Sequence, residues 1–200
     1  MEEVRERSRR LARRLGYGRT APDLPPLAVG ALRPTEVIVD RALVLNVVLS
    51  CAYGLSAEAA LDWLTAEGLS QAVTDGEHEF LVDVAEGLRV QELARRLEVE
   101  SLYALLWAVS IVDELDFDRG AGDVTPYVPD VHRGESADAL RAGATRRDEV
   151  ELYAAYDLAT VLSSAIGDED LHVGVSPGDV EPYVVWERRR ALGWIHGVPW

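Results

Sequence analysis

From Val37 to Tyr53 the chain is almost continuously apolar. At about 100° per residue these side chains cover nearly the whole circumference of a helix. Such a helix belongs in the middle of a bundle. Thr35, after Pro34, reads as its N-cap, and Gly54 stands at its C′ position. Ser56 caps a second helix carrying Leu61, Trp63 and Leu64, which stops at Gly68. Thr74-Asp75-Gly76-Glu77 is a capping box, Thr and Glu three apart, opening a short helix through Phe80, Leu81 and Val84 to Gly87. Val90, Leu93, Ala94 and Leu97 begin a helical pattern that resumes at Leu102, Leu105, Leu106 and Val109; the pattern leaves open a break near Glu98 to Ser101. Asp116 to Glu135, with its glycines and Pro126 and Pro129, reads as a long loop. Thr145 and Asp148 start a further helix to about Ile166, and Ser176-Pro177 supplies an N-cap and an N1 proline for a last helix ending near Gly197.

The first residues differ. Val4, Ser8, Leu11 and Leu15 share a helical face surrounded by Arg5, Arg9 and Arg13, which gives a basic N-terminal arm over 1–19. Pro22, Pro25, Pro26 and Pro34 make 20–34 an extended strap. The helical domain then occupies 35–200. No alternation of period two and no internal repeat is present, so the expected fold is all-α: a single-domain compact helical bundle with an N-terminal arm and a Pro-rich strap.

Composition narrows the functional classes. The chain has 200 residues, 48% of them hydrophobic and 28% charged, which is globular and not disordered. Its 20 basic residues, all arginine, stand against 35 acidic ones, for a net charge of −15. Residues 1–20 hold seven arginines and three glutamates, so the remainder is more acidic still. An acidic body repels phosphate and argues against nucleic-acid binding. A single cysteine excludes a disulfide framework and Cys-rich zinc modules. The opening MEEVRERSRR lacks an apolar h-region, and the longest apolar stretch, Ala42 to Tyr53, is far short of a membrane span. A cytoplasmic protein is the expectation.

Catalytic signatures do not emerge. His78, His132, His172 and His196 are scattered without HxxxH or HExxH spacing, and no metal or cofactor is expected. Asp116, Asp118 and Asp123 resemble a calcium loop only superficially, because Tyr127 occupies the place of the closing glutamate. Cys51 sits in the apolar helix as a small core residue. The anomaly is charge on inward-facing stripes. Val150, Ala154, Leu158, Val161, Leu162 and Ala165 define the core face of the helix from Thr145, and Asp157 falls inside it. In the last helix Val180, Val184, Ala191 and Ile195 define the face, with Glu187 within it and Arg188 at its edge. A buried carboxylate without a partner costs several kcal/mol. From Asp148 to Glu187 there are ten acids and no basic residue, and then Arg188, Arg189 and Arg190 arrive together. Asp157 is therefore expected to pair with Arg188 or Arg190, and Glu187 with another arginine such as Arg41.

Several segments in order resemble the uncharacterised bacterial proteins grouped as domain-of-unknown-function family 4272. They are RPTEVIVDR (Arg33 to Arg41), TDGEHEFL (Thr74 to Leu81), LYALLWAVSIVDEL (Leu102 to Leu115), the stretch around Asp157-Leu158, and VVWERRRALGWIHGVPW (Val184 to Trp200). The last is the most specific. The family pattern has an arginine and a tryptophan shortly after the aspartate matched by Asp157, where Val161 and Ser164 stand nearby in this chain, and that pattern runs past Trp200 into a short acidic tail. The resemblance implies that Arg41, Glu77, Asp157, Glu187 and Arg188 answer to recurring polar positions, and it implies no activity or cofactor.

Two functions follow as expectations. The first is a non-catalytic intracellular module that meets a protein partner through its acidic surface or basic arm. The second is an enzyme or small-ligand binder using a charged network of Arg41, Glu77, Asp157, Glu187, Arg188 and Arg190, in a cleft between the helices carrying Asp157 and Glu187.

Overall fold

The computed structural model describes residues 2–17, 24–27, 29–167 and 180–200, with helical backbone continuing to 173. The Ser176-Pro177 cap and His172 lie outside the described residues. The elements in order are α1 (Glu2–Arg14), α2 (Thr35–Ala52), α3 (Ala57–Ala66), α4 (Asp75–Ala85), α5 (Glu92–Leu97), α6 (Val99–Ala108), α7 (Asp138–Gly143), α8 (Glu149–Val173) and α9 (Pro182–Ile195). Among the described residues there is no strand, so the all-α expectation holds. No helix among them is long and apolar enough to cross a membrane.

Contacts divide the chain into two compact units. The first comprises Met1–Arg33, Glu114–Ala121 and Arg147–Trp200; the second comprises Pro34–Asp113 and Gly122–Arg146. This division follows packing, whereas the division into arm, strap and helical domain followed composition.

Local chemistry explains most boundaries of the second unit. Ser56 accepts a hydrogen bond from the Ala59 N–H, and Thr74 forms the full capping box with Glu77. Pro34, extended at φ −60° and ψ 155°, takes the N-cap place of α2, so Thr35 is its first helical residue and not its cap. At the other end the Leu55 N–H reaches Ser50 O and the Gly54 N–H reaches Cys51 O, a Schellman closure with Gly54 at φ +105°. The 90–115 pattern breaks at Glu98 into α5 and α6 and stops at Ala108. There the same closure is built on Ser110 at φ +60°, with Ser110 N–H on Trp107 O and Ile111 N–H on Leu106 O. A serine in this place gives no sequence signal of a stop. The loop after it holds 3-10 turns at Thr125–Tyr127 and Val131–Arg133. α2 is buried around most of its surface and packs against α3, α4, α5, α6 and α7, the central position its composition predicts.

In the first unit α8 packs against both α1 and α9. This double burial corrects the expected phase of α8. Val150 is 67% exposed, and the buried positions are Leu152, Tyr156, Asp157, Ala159, Val161, Leu162, Ser163 and Ile166. Two covering helices bury a wide arc, so apolar spacing alone does not fix which side faces in. Gly167 leaves helical geometry at φ 70°, ψ 161°. α9 has Pro182 as its N1 proline. Its last carbonyls are met by the segment before α2: the Gly30 N–H donates to His196 O at 2.7 Å and the Arg33 N–H to Ile195 O at 3.0 Å.

α9 approaches α8 closely at Gly193. A Cβ there would lie 3.1 Å from the Tyr156 hydroxyl and 3.2 Å from its ring. Tyr156 cannot swing aside, because its other neighbour is the His196 ring stacked at 5.4 Å. Gly193→Ala is expected to destabilise the protein by about 1–3 kcal/mol through overpacking. Gly143→Ala, whose methyl would meet Ile111 Cδ1 at an ordinary 3.4 Å, serves as the near-neutral control. Thermal melts of the two variants check this.

Candidate functional site

The polar residues singled out by sequence are built into two separate clusters, one in each unit. In the second unit the capping box fixes the start of α4 and directs Glu77 inward. Thr74 N–H and Thr74 Oγ1 both donate to Glu77 Oε2, at 2.9 and 2.8 Å. Arg41, from α2, donates Nη1 to the same oxygen at 3.0 Å and Nη2 to Glu77 Oε1. Its Nη1 also reaches Ala72 O at 3.3 Å. Both side chains are buried. The carboxylate is thus held by a forked guanidinium and by its own cap, the arrangement under which a buried charge is tolerated.

In the first unit Asp157, 1% exposed, accepts from Arg5 Nε at 2.7 Å. Its partner is therefore Arg5 of α1, and not Arg188 or Arg190 as the sequence led us to expect. The reason is packing: Ser8 and Ala12 are the buried residues of α1, and Arg5 precedes them by three and seven positions on the same face. Arg5 Nη1 reaches on to Leu24 O at 3.3 Å. Asp157 Oδ2 has no hydrogen-bond partner. One turn away, the Tyr153 hydroxyl is pushed up in pKa by burial and then by the Asp157 charge, with Arg5 opposing.

Arg188 and Glu187 exchange the roles that periodicity assigned them. Arg188, 1% exposed, is the inward residue of α9. It donates Nη1 to Asp116 O and Nη2 to Arg119 O at 3.1 Å, and lies over the Phe117 ring at 5.6 Å, so it organises the 114–121 segment. Glu187 is half-buried and pairs with Arg190 at 2.7 Å, one turn along. Arg190 also lies over the Trp200 ring at 4.6 Å. Within its own unit Arg41 binds Glu77.

The remaining candidate chemistry is muted. Burial pushes the Cys51 thiol up to about 12, so at neutral pH it is no nucleophile. His78 and His132 are exposed, and Asp116 is engaged by Arg119. Among the described residues no three metal-ligating side chains converge. His196 is the histidine that sequence reasoning passed over. It is buried, stacked on Tyr156 and edge-on to Tyr153 at 6.3 Å, and its Nε2 has no partner.

Concavities occur in the second unit. One of about 510 Å³ runs along the last turns of α2, where Asn46, Leu49, Ser50 and Tyr53 recur at helical spacing. The facing wall is the irregular segment from Val124 to His132, pinned by Asn46 Nδ2 donating to Pro129 O at 3.0 Å. A second, of about 490 Å³, is lined by Glu36, Asp40, Arg141 and Arg146. Burial raises the Asp40 carboxyl there, against the lowering effect of Arg141. Neither is lined by Glu77, Asp157, Glu187 or Arg188.

The family model described as Domain of unknown function (DUF4272) matches residues 4–199. The chain belongs to that family. No curated protein and no solved structure matches it. Both clusters of this DUF4272 chain, Arg41 with Glu77 and Arg5 with Asp157, lie inside the matched span.

Arg41→Ala and Glu77→Ala are each expected to cost about 3–5 kcal/mol, because each strands a buried charge. The double variant should lose much less than the sum, which a double-mutant cycle by denaturant unfolding measures. His196 supplies a pH dependence. Burial lowers its pKa from 6.5 against opposing contributions from a Leu152 backbone hydrogen bond and Glu149, so the fold favours neutral imidazole. Its contribution to stability is present above pH 6.5 and lost as pH falls below it. The melting temperature of wild type should therefore drop more steeply below that pH than that of His196→Gln.

Proposed function

We propose that this DUF4272 chain is a non-catalytic helical module, cytoplasmic in location, that acts by binding a protein partner through the acidic surface of its second unit. The observation that carries the reading is the contrast between interior charge and surface relief. Arg41, Glu77 and Arg188 are engaged with one another, with Thr74 or with backbone carbonyls. The groove along α2 is lined by aliphatic side chains, prolines and Tyr53 together with polar residues including Asn46, Asp130 and Glu135, and by none of those buried charges. The stretches 34–113 and 122–146 carry 18 acidic residues against 7 arginines, which disfavours nucleic acid and favours a cationic protein surface. α1 lies against α8 with Arg5 turned inward, which favours the acidic surface over the basic helix as the contact.

One observation favours a second reading, a small-ligand site beside α8: the buried, unpartnered Asp157 Oδ2. Asp157→Asn separates the two. On the module reading it removes a charge-assisted bond worth about 1.5–3 kcal/mol, lowers the melting temperature and leaves partner binding unchanged. A thermal-shift panel of metabolites then shows no hit on wild type. A metabolite that stabilises wild type but not Asp157→Asn would overturn the module reading.

A further inference from the structure

We propose that the groove of about 510 Å³ along α2 is the docking site for an extended partner segment in which apolar side chains alternate with arginine or lysine. This rests on the module reading above and names the partner's chemistry.

The floor and walls are apolar: Leu49 from α2, Val99 at the start of α6, and Val124, Val128, Pro129 and Val131 from the facing segment. Tyr53 stands at the rim, 65% exposed, with the Arg96 guanidinium 4.8 Å over its ring. A half-aromatic, half-wet rim of this kind is common where segments are bound. The polar rim is acidic. Glu135 and Asp130 line it beside His132, and Asp130 is paired with Arg133 at 3.4 Å, which leaves Glu135 as the carboxylate offered to an occupant. Both carboxylates are held in place by the loop itself: Glu135 Oε2 accepts from the Asp130 N–H at 2.7 Å, and Asp130 Oδ1 accepts from the Arg133 N–H at 3.3 Å. The first of these bonds engages Oε2 of Glu135, whose side chain is exposed at the rim to an incoming cation.

These features select the occupant. An anionic metabolite would meet the Glu135 carboxylate, while the Arg133 guanidinium is taken up by Asp130 and that of Arg96 lies on Tyr53. A purely apolar helix would leave the acidic rim uncompensated. Arginine and lysine carry an apolar stem and a charged head, so the stem covers Val128 and Val131 while the head meets Glu135. Neighbouring leucine-like side chains enter between Leu49 and Val124. The net charge of the whole chain, −15, adds attraction at a distance.

The test uses the full chain and a fluorescein-labelled peptide alternating leucine with arginine, read by anisotropy. Two control peptides replace arginine with glutamate and leucine with serine. Val128→Arg places a cation in the groove, and Leu61→Arg places the same charge on α3, away from it. The leucine–arginine peptide should bind wild type and Leu61→Arg alike, and both control peptides should bind at least about tenfold more weakly. Val128→Arg should weaken binding by about tenfold or more. Tyr53→Ala, at an exposed position, should weaken it in the same direction and covers the case in which Val128→Arg misfolds. Equal binding of the serine–arginine peptide, equal loss in Leu61→Arg, or no binding of the leucine–arginine peptide to wild type would each overturn the groove assignment. Such a failure with a blank metabolite panel removes only the groove. A metabolite hit lost in Asp157→Asn removes the module reading beneath it.

Discussion

An ionised side chain can sit inside a protein only when its lost hydration is replaced, group by group, by fixed partners. Glu77 meets that requirement with four bonds, two from Arg41 and two from Thr74, so that the cap of α4 and the central helix α2 are joined through one carboxylate. That junction sets α4 and the turn before it against α2. A shift of one residue in either helix would carry the guanidinium out of reach of the carboxylate and leave both stranded. The first unit uses the same logic with different materials. Asp157 binds α1 to α8 through Arg5, and Arg188 converts backbone carbonyls of the 114–121 segment into acceptors for a buried cation. Such pairs are weak as net stabilisers once formed and costly to break, because removing one partner strands the other charge in the interior.

Much of this could be read from the sequence where the signal is local. Ser56 and the Thr74–Glu77 box announce helix starts because a side chain three residues away completes the bond. The end of α2 is legible in Gly54, and its central place in an apolar pattern that leaves no polar face. The end of α6 was not legible, since Ser110 holds the left-handed position that glycine usually fills. The phase of α8 was lost because α1 and α9 both cover it. Asp157 stood out as an inward acid, and it is buried; its partner lies 152 residues away, and no rule of spacing reaches that far. Arg5 could have been suspected from its alignment with Ser8 and Ala12, had that small-residue face of α1 been read as a packing seam.

The two units divide the labour of the chain unequally. The second carries most of the excess negative charge and the long irregular segment that walls the groove. That segment is shaped by two bonds from distant helices, Asn46 to Pro129 and Trp63 to Glu135 O at 2.8 Å, and by the local bond of Glu135 to Asp130, so its apolar residues are presented without regular secondary structure. Irregular backbone held by side chains can display aliphatic groups in directions that a helix cannot. The first unit is organised around buried aromatics and charges, with Arg33 over Trp194 at 4.3 Å and Trp194 edge-on to Trp200 at 5.7 Å.

The bonds from Gly30 and Arg33 to the last carbonyls of α9 join residues more than 160 positions apart. During synthesis, α1 and the stretch after it leave the ribosome long before their packing partners in α8 and α9 exist. The 34–146 region, interrupted only at 114–121, has its own partners close at hand and can collapse while translation continues. The order of assembly is therefore inverted with respect to the order of emergence: what is made first is completed last.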